Sequence, residues 1–317
     1  MLLLWIAFGV AVLFALAALI TAYVCFYRIF YSPEKRRRKI TSEKLIPEEE
    51  IYLPFKEKIV KWIEMSRTMP HADVSIKSFD GLTLRGRYYE CEKGAPIEIL
   101  FHGYKGTSER DLSGGISRCF ALGRNALLVD HRASGRSEGS VISFGINESR
   151  DCELWIDYVI NNIDMNAKII ITGVSMGAAT VMISAAKELP ENVVGVLADC
   201  GYTSAKEIIK KVIREMGLPA DLLYPFARLG GKIFGRFDVD ETSPIEAMKK
   251  SRLPIIFIHG DADDFVPFEM SEKNYEACIS EKRLVKISGA GHGLCFPTDK
   301  EKYLCELKEF FDPILNK

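Results

Sequence analysis

Gly173-Val174-Ser175-Met176-Gly177 decides how this chain is read. Before it runs Ala167-Lys168-Ile169-Ile170-Ile171-Thr172, a β-branched stretch that predicts a buried strand. After it, Ala178-Ala179-Thr180-Val181-Met182-Ile183-Ser184-Ala185-Ala186 predicts a closely packing helix. A serine on so sharp a strand-to-helix turn is lifted above the sheet edge. Glycines two before and two after it let the backbone turn without Cβ clashes. The helix N-terminus then points N–H groups without intrahelical acceptors at any oxygen approaching the serine. Ser175 is the expected nucleophile. A second match, Gly135-Arg136-Ser137-Glu138-Gly139, has no strand directly before it and no helix start after it, so Ser137 is expected to be structural.

Working outward, strands and helices alternate from Ala72 onward, which predicts a mostly parallel sheet covered on both faces. Val74–Ser78 and Leu82–Tyr88 alternate in period two around Asp80-Gly81, an antiparallel hairpin for a sheet edge. Buried strands are expected at 97–101, 126–130, 169–172, 193–198, 255–258 and 284–287. Helices are expected near 110–122, 150–163, 176–189, 269–279 and 302–311. The rhythm breaks between Gly201 and Lys250, where Ile208, Ile209, Val212, Ile213 and Met216 share a helix face and a bulky apolar run follows. This insertion is expected to form a helical cap lining an apolar pocket over Ser175.

The N-terminus is different in kind. Met1 to Tyr27 carry no charge, and a bilayer core of about 30 Å needs roughly 20 helical residues. Arg28, Lys35, Arg36, Arg37, Arg38 and Lys39 follow, a bias that predicts a single-pass anchor with its amino terminus outside and the remainder cytoplasmic. A cleaved signal peptide would carry its basic residues first and a shorter apolar core. The expected organisation is an anchor and basic collar over 1–40, an amphipathic linker helix over 41–71 and a catalytic domain over 72–317. In the linker, Ile51, Phe55, Ile59, Trp62 and Ile63 share a face expected to clamp onto that domain, with a bend at Pro54.

Composition narrows the partners. In 317 residues the net charge is −1, so no overall field recruits nucleic acid. Eight cysteines lie scattered without C-x-x-C pairs or metal-like histidine spacing, which suggests a reduced compartment and no metal site.

A serine hydroxyl needs a base held by a carboxylate. Of the five histidines, His71 precedes the sheet, and His102, His131 and His259 end strands, where satisfying backbone groups is their expected role. His292, in Gly289-Ala290-Gly291-His292-Gly293, sits in a flexible loop after the last strand and downstream of every candidate acid. It is the expected base. Asp263 is the expected acid, pinned by Val266-Pro267, with Asp261 capping the turn and Asp199 the alternative. Oxyanion donors are expected from the Met176 and Tyr104 N–H groups; the Tyr104 phenol is an open alternative.

Together His102-Gly103-Tyr104, Asp130-His131-Arg132, Gly173 to Gly177, His259-Gly260 with Asp263 and Val266-Pro267, and Gly291-His292-Gly293 resemble the α/β-hydrolases of the serine esterase and prolyl-oligopeptidase-like branch. The resemblance spans Val74 to Phe311. It implies an eight-stranded sheet, a Ser175–His292–Asp263 triad and no cofactor. Ala133-Ser134 departs from relatives that carry glycine after the arginine, which bears only on that loop's shape. The function expected is a membrane-anchored hydrolase of small-molecule carboxylic esters, acyl or lipid-derived, held in the bilayer by its first helix. The alternatives are a thioesterase, a peptidase gripping an amine through Glu215, Asp221, Asp238 and Asp240, and a non-catalytic scaffold.

Overall fold

The computed structural model describes residues 1–33, 45–46 and 50–316. Lys35 to Lys39 of the basic collar, and Glu48 at the expected start of the linker helix, lie outside the described residues.

Every expected strand forms: the inner parallel runs are buried on both sides, while the hairpin and the last strand lie toward the sheet's edges and are partly exposed. In chain order they are β1 (Ala72–Lys77), β2 (Thr83–Tyr89), β3 (Ile97–Phe101), β4 (Asn125–Val129), β5 (Ile169–Val174), β6 (Val193–Asp199), β7 (Ile255–Gly260) and β8 (Lys282–Ile287). They make one eight-stranded sheet, ordered β1-β2-β4-β3-β5-β6-β7-β8. The pairs β1·β2 and β2·β4 are antiparallel and the rest parallel. β5 is therefore central, and its C-terminal end carries Ser175.

The helices are α1 (Leu2–Ile29), α2 (Lys56–Thr68), α3 (Ser108–Ala121), α4 (Ile146–Asn162), α5 (Met176–Ser184), α6 (Ala205–Glu215), α7 (Ala220–Gly230), α8 (Pro244–Met248), α9 (Phe268–Ala277), α10 (Cys295–Thr298) and α11 (Lys300–Leu315). A 3-10 turn, Glu50–Phe55, precedes α2 and contains Pro54; a π turn, Gly231–Gly235, extends α7. On one sheet face Ile99, Val129, Ile171 and Phe257 pack with Trp155 of α4 and Val181 of α5. On the other, Ile170, Leu197 and Ile256 meet Leu307 and Phe311 of α11, while Leu100 and Leu128 meet Ile116 of α3. α5 stops at Ser184, short of the expected Leu189. A tight turn closed by Lys187 N–H to Ser184 O ends it, and Pro190 lies just beyond.

Two segments outside the sheet shape this fold. The linker lies across α3, with Ile63 buried and Trp62 stacked on Phe296 at 5.5 Å between ring centroids. The insertion is helical, but its apolar excess closes over the end of α1: Phe26 and Phe30 join Phe144, Met176, Tyr202 and Phe237 in one buried cluster. Past α1 the chain continues as a bridge, with Ser32 N–H donating to Ser140 O and Ile142 N–H to Phe30 O.

Close approach of α1 to α7 depends on a missing side chain. A Cβ at Gly230 would lie 2.3 Å from Ala22 O and 2.9 Å from Phe26 Cβ. Gly230→Val therefore pushes the two helices apart and costs about 1–3 kcal/mol. Chemical denaturation of the detergent-solubilised full chain should register that loss, and an unchanged midpoint would contradict the packing.

Candidate active site

Ser175 has φ +57° and ψ −115°, a conformation that L residues avoid. Its flanks make that backbone possible. A Cβ at Gly173 would sit 2.0 Å from Gly177 O, and one at Gly177 2.0 Å from Phe101 O. No side chain fits at either position, so the strained serine is held where β5 turns into α5.

Two further loops converge on it. His292 Nε2 is 2.9 Å from Ser175 Oγ, and His292 Nδ1 is 2.7 Å from Asp263 Oδ2. A carboxylate only accepts, so the proton sits on Nδ1 and leaves Nε2 to accept from the serine hydroxyl. Asp263 collects four donors. Phe265 and Val266 N–H groups reach Oδ1 at 3.0 and 2.8 Å, and His259 Nε2 shares Oδ2 with His292 at 3.1 Å. Burial by itself would raise this carboxyl's pKa; hydrogen bonds from His259 and His292 overcome it and hold the group well below the usual carboxylate range.

Asp199, the alternative acid, stands apart. Its Oδ2 accepts from Tyr303 OH at 2.8 Å, its Oδ1 is buried without a partner, and burial pushes its pKa up. Asp261 accepts from Gly289 N–H at 2.7 Å, tying the acid loop to the loop that carries His292. Ser137 is buried, donating to Asp130 O at 2.6 Å and accepting from Arg85 N–H at 2.9 Å. His102 behaves as a strand-end histidine, accepting His131 N–H at 3.0 Å.

Three findings depart from the sequence reading. His259 does more than satisfy backbone: besides Asp263, its Nε2 donates to Val266 O at 2.8 Å, and its Nδ1 accepts from Ser271 OH at 2.6 Å. The Tyr104 phenol, an open alternative for the oxyanion, donates instead to Ile29 O of α1 at 2.6 Å. The expected cap does not line the pocket beside Ser175. That cavity, of about 200 Å³, is walled by Ile46, Ile59 and Trp62 from the segment before the sheet, with Leu100, Leu112 and Phe296 opposite. The insertion's inward apolar side chains, among them Tyr224, Ala227 and Phe237, pack in the cluster with Phe26 and Phe30 of the α1 end instead. Tyr52 also lines the pocket, its OH donating to His292 O at 3.1 Å.

Met176 begins α5, where N–H groups lack intrahelical acceptors. Tyr104 follows Gly103, whose backbone packs on the serine; a Cβ there would meet Ser175 Cβ at 3.4 Å. Cys200, Asp263 and His292 offer ligand atoms within 4.8 Å of one another. Asp263 and His292 are committed to each other and to Ser175, and burial raises the Cys200 thiol far above its ordinary pKa. As arranged, the group suits proton transfer better than metal binding.

A model of the prolyl oligopeptidase family matches residues 143–317. The chain belongs to that family. It has the α/β-hydrolase fold. The uncharacterized protein YqkD of Bacillus subtilis is 30% identical over 192 residues, 60% of this chain and 63% of that protein, so the chain spans under two thirds of that relative. Protein bem46 of Schizosaccharomyces pombe is 25% identical over 68% of each chain. Among solved structures, the Pyrococcus furiosus esterase Pf2001 superposes with a TM-score of 0.64 at 21% identity, over 78% of this chain and 94% of its own. Est1E from Butyrivibrio proteoclasticus, solved with ferulic acid, gives 0.57 at 20% identity, over 77% and 100%. At such identities these structures speak to fold alone.

The donors on Asp263 predict a pH signature. A carboxylate whose folded pKa is depressed adds stability that is complete above its unfolded value, about 3.9, and is lost as pH falls through the folded one. His259→Phe removes one donor and costs about 1–3 kcal/mol near neutral pH. The unfolded carboxyl titrates alike in both, so the gap to wild type should narrow as pH falls through the variant's folded carboxyl pKa toward the lower one of the wild type. Denaturation curves across that range test it; a gap that widens in acid would contradict the assignment.

Proposed function

We propose that this chain is a membrane-anchored serine hydrolase of carboxylic esters. The observation that carries the reading is the hydrogen-bonded line from Ser175 Oγ to His292 to Asp263, at 2.9 and 2.7 Å. Ser175 Oγ attacks the ester carbonyl carbon while His292 Nε2 takes its proton. Negative charge developing on the carbonyl oxygen is met by the N–H groups of Met176 and Tyr104. The tetrahedral intermediate collapses, the carbon–oxygen bond to the alcohol breaks, and His292 returns the proton to the departing oxygen. Water, deprotonated by the same imidazole, then releases the acid and restores the serine. Asp263 stays ionised throughout, fixing the tautomer and balancing the imidazolium.

The pocket favours an acyl group over a peptide. Its volume, about 200 Å³, falls below the roughly 300–1,000 Å³ of common ligand sites, and its walls are largely aliphatic and aromatic. The acids a peptidase would need are engaged elsewhere. Asp221 pairs with Lys210, Glu215 with Lys211, Asp238 with Arg228 and Lys232, and Asp240 with Arg228. Anchoring is supported by α1, which is long and apolar enough to cross a bilayer. A removable leader is a poor match, because Phe26 and Phe30 belong to the cluster that holds Met176. Arg28 and the basic residues to Lys39 orient the catalytic part toward the cytoplasm.

Hydrolysis of p-nitrophenyl esters of increasing chain length, set beside aminoacyl anilides, tests the reading. The esters should turn over and the anilides should not. Ser175→Ala and His292→Ala should each lower kcat by about 10⁴–10⁶, and the double variant no further, because the two act as a unit. Anilides preferred over esters, or activity surviving either substitution, would contradict it.

A further inference from the structure

α7 and its π turn carry apolar side chains on two sides. Tyr224, Ala227 and Gly230 face inward, toward α6 and α1. Outward, Leu222, Leu229 and Ile233 are 63%, 37% and 47% exposed, and Leu218 ahead of them is 44% exposed. Positions 222, 229 and 233 fall on one side of the helix and its π turn, with Leu218 just ahead of it. A helix facing water carries polar groups there, and a continuous apolar stripe marks a surface that something covers.

The position of α1 says what covers it. Up to Ala17 every residue of the helix is exposed, and Ala22 is its first buried residue. From Leu2 to Ala22 the rise is about 30 Å, the thickness of a bilayer's hydrocarbon core. Ala22 O is also the atom that Gly230 approaches. The level at which α1 leaves the hydrocarbon is thus the level of α7. Tyr23 and Tyr27, exposed beside it, make an aromatic rim of the kind found at membrane interfaces, with the Tyr23 ring 5.2 Å from Phe234 of the π turn. Arg236 is exposed at the end of that turn, where a long stem can bring its charge to the headgroups.

We propose that the outer side of α7 and the π turn is a membrane-docking surface. It is seated at the acyl–headgroup boundary of the leaflet that α1 leaves, so that the catalytic part lies against the bilayer. Ile29, whose carbonyl accepts from Tyr104 OH, is seven residues past Ala22, about 10 Å further from the hydrocarbon. Tyr104, which lines the Ser175 pocket, is therefore held near the headgroup layer, where esters dissolved in the membrane present their carbonyls. This inference rests on α1 crossing the bilayer.

The test uses the full chain reconstituted in phosphatidylcholine vesicles with and without brominated acyl chains. Tryptophan is introduced at Leu222 or Ile233, and as a reference at Met165, which is exposed ahead of β5 at the opposite end of the sheet. Emission added over wild type should fall by about half in Leu222→Trp and Ile233→Trp, as expected for side chains about 5–10 Å into the interface. Met165→Trp should keep its added emission. Quenching at 222 and 233 no greater than at 165 overturns the docking surface. Trp5, read as the difference between wild type and Trp5→Phe, reports separately on the span. If Trp5 is quenched and 222 and 233 are not, only the surface fails; if Trp5 is unquenched, anchor and surface fail together.

Discussion

The rest of the site depends on one strained residue. Ser175 can hold φ +57° only because Gly173 and Gly177 leave the turn free of side chains while β5 and α5 grip it from both ends. The sheet is what supplies that grip. Eight strands fix where β5 ends, and the same edge carries the turns that lead to Asp263 and His292. Each loop is then pinned by its own backbone bonds, so the three side chains meet without a search.

Charge is arranged around Asp263 in the same spirit. Four donors converge on a buried carboxylate, and with them its charge becomes the stable state. Asp199, equally buried, accepts from the Tyr303 hydroxyl, and burial raises its pKa. Two aspartates near one edge thus have their pKa values pushed in opposite directions for a visible reason. The depressed one can balance an imidazolium.

Much of this was legible in the residues. Ile169–Thr172 and its counterparts could be read as strands because runs of β-branched residues suit positions buried on both sides. The meeting of Ser175, His292 and Asp263 was expected from loops at one sheet edge. Less legible was whatever depended on distant packing. The apolar excess of 201–250 looked like a pocket lining, yet composition does not say which surface an apolar face will cover, and here it covers α1. Ile46, Ile59 and Trp62 wall the pocket instead, a docking of linker onto sheet that no local spacing encodes. His259 has the sequence setting of a strand-end histidine; the signal that it does more is its spacing four residues before Asp263. The glycines at 230, 231 and 235, with Ala18 and Ala22 on α1, were a further sign of close helix contact.

Covalent chemistry at Ser175 is the claim from which every other functional statement follows. Its most direct measurement is peptide-mapped mass spectrometry of the full chain after reaction with a fluorophosphonate. The account predicts a single phosphonyl adduct on the peptide containing Ser175. An unmodified Ser175 peptide, or an adduct carried by Ser137 or another residue, would contradict it.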